Sequence, residues 1–489
     1  MSREQKVHLV SLGCPKNRVD SEVILGRLAG DGYKAVGSAE DADVIVVNTC
    51  GFIDAAKEES VEAILEMAEF KERGRCSKLV VTGCLSQRYA PELSKEIPEV
   101  DHFLGTGNFN EIVEVLHSGQ PTPLAPSPAS RLSLPIIADH PRLQGKNKLV
   151  PFRHDAQTGK GSIYIPDPDF PLSSDSPRVA TQAIHSQYLK VSEGCSNTCS
   201  FCIIPKLRGP QRSRSIADIL VEASRLLEQG TVEINLIAQD LCAFGKDQNP
   251  RENLAQLLRA LDRLGAEVPQ DVWVRCLYAY PRGLTREVME VIAGASSIVP
   301  YLDMPLQHIS DSMLRRMKRG RGGESTKKLL RRLRAEIPDL VLRTTFITGM
   351  PGETEEDFQE LCDLVEEIRF EHMGVFAYSR EEGTPAATMK GQIEREVAEA
   401  RAAELMKRQK RISAEKQDSL VGKHVKVLVD GVSDETDLLL QGRHCGQAPD
   451  IDGIVYINDG EAAAGDVVEV RVEQALNYDL VGGIVKDPI

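Results

Sequence analysis

The sequence of 489 residues predicts a mixed α/β chain in three parts. Short apolar runs alternate with helical patterns as far as residue 117, which implies a parallel sheet flanked by helices. The alternation returns between about 184 and 412 with six strand-like runs, which implies a parallel βα barrel. Five short runs near the carboxyl end imply a small antiparallel β-barrel. The expected divisions are 5–118, a connector at 119–183, then 184–415 and 418–487.

In the first part, Val7 to Leu12, Val44 to Val47 and Leu79 to Val81 read as buried strands. Val19 to Leu28, Ala55 to Phe70 and Glu111 to Leu116 read as helices. The connector is rich in proline, with Pro121, Pro123, Pro126 and Pro128, then Pro166, Pro168 and Pro171, and reads as a linker. In the central part the strand runs are Tyr188 to Val191, Glu233 to Ala238, Val272 to Leu277, Tyr301 to Met304, Leu342 to Ile347 and Gly374 to Tyr378. Ile216 to Leu227, Leu254 to Leu264 and Thr354 to Ile368 are helical patterns between them. A long charged helix is expected from Ile393 to Lys416. The last strands are Val425 to Val429, Leu438 to Gln441, Ile454 to Ile457, Val467 to Val472 and Leu480 to Val485.

Net charge is −14, so most of the surface repels nucleic acid, and a nucleic-acid substrate is not expected. The start is charged and lacks the apolar core of a secretory signal, and no run is long enough for a membrane helix. Eleven cysteines without such a signal point to metal or redox work in a reducing cytoplasm.

Six cysteines stand out. Cys195, Cys199 and Cys202 follow a strand in the spacing C-x-x-x-C-x-x-C. Three thiolates on one loop can hold three corners of a 4Fe–4S cubane, and with no fourth cysteine nearby one iron stays open to a ligand. Zinc or buried structural thiols are the alternatives, although zinc sites usually carry a second cysteine pair. Cys14, Cys50 and Cys84 each sit just past an expected strand. Carboxyl ends of parallel strands share one edge, so the three can converge. Gly13, Gly51 and Gly83 would let the backbone approach a cluster closely. Three unrelated core thiols are the alternative.

The loop Glu193-Gly-Cys-Ser-Asn-Thr-Cys-Ser-Phe-Cys resembles the cluster loop of the radical S-adenosylmethionine (SAM) enzymes. The resemblance implies a partial barrel and a SAM molecule chelated at the open iron, with Phe201 near the adenine. It also implies that the mouth loops line the SAM pocket. These are Gln239-Asp240, Asp303 to His308, and the loop with Gly349 and Gly352. Bland readings stand beside it: Gln239 and Asp240 as turn formers, and His308 as a helix cap or satisfied core histidine. The basic run Lys206 to Arg214 is either a SAM or substrate contact or a solvated loop. No catalytic side chain is singled out. Cys76, Cys242, Cys276, Cys362 and Cys445 read as ordinary thiols, with Cys242 the nearest to an active loop.

Gly13-Cys-Pro-Lys-Asn-Arg-Val-Asp20 together with Asn48-Thr-Cys50 resembles the amino-terminal domain of the methylthiotransferases. That family implies a second 4Fe–4S cluster on Cys14, Cys50 and Cys84, besides the first on Cys195, Cys199 and Cys202. Pro15-Lys16-Asn17 resembles the RimO branch, which modifies an aspartate of small-subunit ribosomal protein S-twelve. The transfer-RNA branch, MiaB, usually has Gln-Met-Asn there and is the alternative. Arg18 departs from the branch pattern, where leucine is common. The family implies that SAM both methylates a sulfur and yields the radical that opens the substrate C–H bond, with external sulfur and electron donors.

The last part resembles a TRAM domain, a module that grips RNA in relatives. Residues 421–489 carry five basic and thirteen acidic residues. That balance suits a basic protein partner better than RNA.

Overall fold

A computed structural model describes residues 4–118, 162–165, 172–320 and 322–485. The chain divides into two compact units. One comprises Met1–Thr181, Glu193–Arg212 and Ser379–Ala387; the other comprises Gln182–Ser192, Ser213–Tyr378 and Thr388–Ile489.

The first unit is built on a six-stranded sheet. Its strands are β1 (Lys6–Ser11), β2 (Lys34–Ala35), β3 (Val44–Thr49), β4 (Lys78–Gly83), β5 (His102–Leu104) and β6 (Ser162–Tyr164). The order is β2-β1-β3-β4-β5-β6, and every pair is parallel. Every residue of β3 is buried, as a strand covered on both faces requires. Helices α1 (Pro15–Gly30), α2 (Asp54–Arg73) and α3 (Cys84–Glu96) follow β1, β3 and β4. Ile45, Val47, Ile64, Leu79, Val81, Leu93 and Phe103 form the core on one face. Chain order reverses at β1, so the switch point lies between β1 and β3, where sheets of this kind bind ligands at their carboxyl edge.

Part of the expected connector belongs to this unit. Ser162–Tyr164 pairs with β5. Arg178 and Thr181 both bond the Glu22 carboxylate on α1, at 2.7 and 2.9 Å. Residues 119–161 and 166–171, with most of its prolines, lie outside the described residues.

The second unit carries a six-stranded parallel sheet: β7 (Ser186–Lys190), β8 (Glu233–Ile237), β9 (Trp273–Cys276), β10 (Ile298–Asp303), β11 (Val341–Thr348) and β12 (His372–Ala377). The strands lie in chain order, and among the described residues no first-to-last pairing closes them, as a partial barrel requires. Helices cover the sheet with apolar faces, including Ile216–Glu228, Leu254–Ala266 and Glu355–Ile368. Thr354 starts the last of these with a reciprocal capping box to Asp357. The expected charged helix runs Arg395–Asp418.

The carboxyl-terminal barrel is closed, in the order β13 (His424–Val432), β14 (Leu440–His444), β15 (Val455–Asp459), β17 (Leu480–Ile484), β16 (Val467–Ala475). One departure from the antiparallel expectation is the pair β15 and β17, which runs parallel. The hairpin β16–β17 brings β17 back in the direction of β15 and closes the gap between them. Val427, Val429, Val455, Val470 and Leu480 fill the interior.

A buried charged network joins this barrel to the amino ends of the sheet strands. Glu233, at the start of β8, receives Arg275 at 2.8 Å and Arg443 of the barrel at 2.7 Å. Arg443 also bonds Asp430, and Tyr301 donates to Asp452 at 2.6 Å. Burial alone would raise the Glu233 carboxyl, but Arg443 and Arg275 hold it at about 2.

Candidate functional site

Cys14 follows β1 by three residues, Cys50 follows β3 directly, and Cys84 follows β4 directly. Register places Ser11 beside Asn48, and Thr49 beside Gly83, so the three cysteines leave one sheet edge together. Their loops are in close contact. Gly13 has φ +88°, and a Cβ there would lie 2.8 Å from the Cys50 Cβ. A Cβ on Gly51 would come within 2.8 Å of the Leu85 backbone. Glycine at 13 and 51 thus lets neighbouring segments of the chain approach closely.

Polar groups fix each cysteine. Ser60 on α2 accepts from the Cys50 N–H at 2.9 Å and donates to its carbonyl at 2.8 Å. Asn17 Nδ2 donates to the Leu12 and Thr49 carbonyls at 3.0 and 2.9 Å, tying the Cys14 loop to the end of β3. The Asn17 Oδ1 accepts from Cys84 Sγ at 3.9 Å and from Arg208. Burial pushes the Cys50 thiol up to about 12, with Cys84 and Cys14 adding to it. Burial also raises Cys84, and the Arg208 guanidinium opposes that.

The second cysteine loop lies in the same unit. Cys195 is buried, and Cys199 and Cys202 are half-buried. The Cys195 N–H donates to the Gly209 carbonyl at 3.0 Å, and Cys202 N–H to the Cys199 carbonyl at 3.2 Å, which folds the loop tightly. Phe201 is half-buried on it. The short helix α4 (Ile204–Arg208) follows; Ile203 just before it and Leu207 within it pack directly on Cys84. Thr106 Oγ1 donates to the Leu207 carbonyl at 2.8 Å. The elements that carry the two cysteine trios are therefore packed side by side.

Two polar clusters hold that packing. Arg208 Nη1 reaches Asp20 on α1 and both Glu193 oxygens, all at 3.0 Å. Glu381 receives Lys57 on α2 and Arg88 on α3, each at 2.9 Å. Its own segment donates Ala386 N–H to the Ser200 carbonyl and accepts Lys206 Nζ at the Gly383 carbonyl.

The basic run has its own resolution. Arg208 is buried, Arg212 bonds the Pro210 and Arg208 carbonyls, and Arg214 bonds Asp218 and Glu222. Arg208 and Arg214 are thus paired with carboxylates inside the protein, while Lys206 is exposed. Asn17, Asp20, Lys57, Arg88, Glu193 and Glu381 were not singled out by sequence. Asn17, Asp20 and Glu193 lay within quoted motifs but without a role, and Lys57, Arg88 and Glu381 have partners too distant in the chain to give a pattern.

The remaining expected site residues lie in the second unit. Gln239 and Asp240 follow β8, and Asp240 is buried. Gly349 follows β11 with φ +74°; its N–H donates to Glu353, and a Cβ would lie 2.2 Å from the Ala398 Cβ. Glycine is thus required at 349 by the helix packed on it. His308 is fully buried. Its Nδ1 accepts from the Ser310 N–H at 3.1 Å, so Nε2 carries the proton towards Glu353 at 3.2 Å. It is the satisfied core histidine of the two readings. Cys76, Cys242, Cys276 and Cys362 are buried, and Cys445 is half-buried.

The donor chemistry fits iron–sulfur clusters. Among the described residues no group of three or more His, Cys, Asp or Glu is arranged to hold a single metal ion. A cubane does not need that arrangement, because each thiolate binds a different iron. The family models agree with the plan: "Uncharacterized protein family UPF0004" matches residues 6–105, the radical SAM superfamily residues 189–365 and the TRAM domain residues 421–485. The fold and the cysteine loop thus define the class, the radical SAM superfamily.

Full-length relatives narrow it. The chain is 51% identical over 484 residues to ribosomal protein uS12 methylthiotransferase RimO of Anaeromyxobacter sp. (strain Fw109-5), covering 99% of this chain and 94% of that one. It is 49% identical to the RimO of Myxococcus xanthus, covering 99% and 92%, and 45% identical to that of Geobacter sulfurreducens, covering 99% and 99%. The chain belongs to the RimO family of ribosomal protein uS12 methylthiotransferases. In fold it is similar to the radical SAM methyltransferase TsrM of Kitasatospora setae, with a TM-score of 0.52 at 16% identity, covering 78% of this chain and 77% of that one.

Proposed function

We propose that this chain adds a methylthio group to the β-carbon of an aspartate in ribosomal protein uS12. The observation that carries the reading is the full-length likeness to RimO proteins in a chain whose two cysteine trios lie on directly packed elements. A C–H bond opened by a radical must lie within reach of the sulfur that replaces the hydrogen, and adjacent trios meet that need.

In this reading Cys195, Cys199 and Cys202 hold one 4Fe–4S cluster, and Cys14, Cys50 and Cys84 hold the other. The cluster held by Cys195, Cys199 and Cys202 would supply the electron for cleavage of the SAM sulfonium. Protein residues do the remainder. Phe201, Gln239, Asp240 and Gly349 are the residues that would bind and orient SAM. The Arg208 guanidinium would favour Cys84 as a thiolate, and Asn17 would hold Arg208 against it. Sulfur and electrons come from external donors. The acidic barrel, with five basic and thirteen acidic residues over 421–489, faces a basic protein rather than nucleic acid. Among the described residues no helix is long and apolar enough to cross a membrane. We place the work in the cytoplasm, where ribosomal proteins are made.

Mass spectrometry of uS12 and of total transfer RNA from a deletion strain tests this. The expected result is loss of the mass increment on the uS12 aspartate, restored by the gene. Loss of a transfer-RNA modification with the aspartate unaffected would favour the transfer-RNA reading.

A further inference from the structure

Arg208 is bound into the loops of both cysteine trios. It lies six residues after Cys202 and hydrogen-bonds Glu193, two residues before Cys195. On the other side it reaches Asn17 and Asp20, three and six residues after Cys14. Its side chain is 2% exposed, and Asp20 is 5% exposed. The Asn17 oxygen that accepts from Arg208 also accepts from Cys84. One buried guanidinium therefore stands against the first trio, balanced by two carboxylates.

Reduction of an iron–sulfur cluster adds negative charge to a site of low dielectric. A nearby cation favours the reduced form and a nearby carboxylate disfavours it. We propose that Arg208, offset by Asp20 and Glu193, sets the reduction potential of the cluster on Cys14, Cys50 and Cys84. Arg208 is a positioning residue that touches no reacting atom. The inference rests on the reading that these cysteines hold a cluster.

The test uses the full chain with Cys195, Cys199 and Cys202 replaced by alanine, so that one cluster remains. After anaerobic reconstitution, iron is counted and the potential is read by EPR-monitored redox titration. R208Q should lower the reduced-to-oxidised ratio at fixed potential about tenfold, equal to about 59 mV for one electron. D20N should move it the opposite way. R208K, which keeps the charge but not the fork, should lie closer to the parent than R208Q. Opposite shifts are the signature of charge, because a merely structural contact would move both variants alike. Equal potentials, or shifts in one direction, overturn the proposal. If R208Q does not load iron, D20N decides: a rise supports the proposal, and no change or a fall overturns it. A parent without iron instead removes the cluster reading on which it rests.

Discussion

Glu381 accepts a hydrogen bond from Arg88 at 2.9 Å across 293 residues of chain, and both side chains are buried. Lys57 meets the same carboxylate oxygen. The segment that carries Glu381 also bonds Ser200 and Lys206 on the second cysteine loop. One carboxylate thus ties the helices after Cys50 and Cys84 to the loop of Cys195, Cys199 and Cys202.

Removing that charge should loosen the site. In Glu381→Gln buried Arg88 loses its carboxylate while Lys57 keeps Asp54 at 2.6 Å, and breaking a buried pair typically costs about 3–5 kcal/mol. Iron retention during dilution into EDTA, followed by absorbance, should fall faster than in the parent. Unchanged retention would show that the tie does not hold the loops.

Acid should release the carboxyl-terminal barrel from its sheet. Glu233 is held at about 2 by Arg443 and Arg275 against an ordinary value of 4.5. A depressed carboxyl contributes stability above its unfolded value and loses it as the pH falls from about 4.5 through about 2. The single tryptophan, Trp273, pairs in register with Glu233 and is buried, so its fluorescence reports this locally. Glu233→Gln should be less stable by about 3–5 kcal/mol at neutral pH, with the gap closing as acid protonates the parent. A gap independent of pH would assign the effect to packing.

Gly13→Ala tests the contact between the cysteine loops. Its Cβ would lie 2.8 Å from that of Cys50, at a φ of +88° that L residues rarely adopt. Reconstitution should then yield about four irons rather than about eight, the loss falling on the first trio. Full loading would show that the loops separate easily.

Much of this was legible beforehand. Strands buried on both faces, such as Val44–Thr49, announce themselves as unbroken apolar runs. Lys34–Ala35 and His102–Leu104 are too short to form a pattern. Helix Cys84–Glu96 is not among the expected elements; it holds Pro91 inside it and is kinked at Tyr89, φ −136°. The six cysteines carried their own spacing and placement. Arg208 gave no such signal: its surroundings read as a basic loop, while its partner Asp20 lies 188 residues away. Charge pairs that close only in the folded chain leave no local trace.

The central claim is two cubanes on two thiolate trios, and counting iron and acid-labile sulfide in anaerobically reconstituted protein tests it most directly. The account predicts about eight of each per chain, and about four in either triple-alanine variant, Cys14, Cys50 and Cys84 or Cys195, Cys199 and Cys202. Zinc without sulfide, or full iron after loss of either trio, would contradict it.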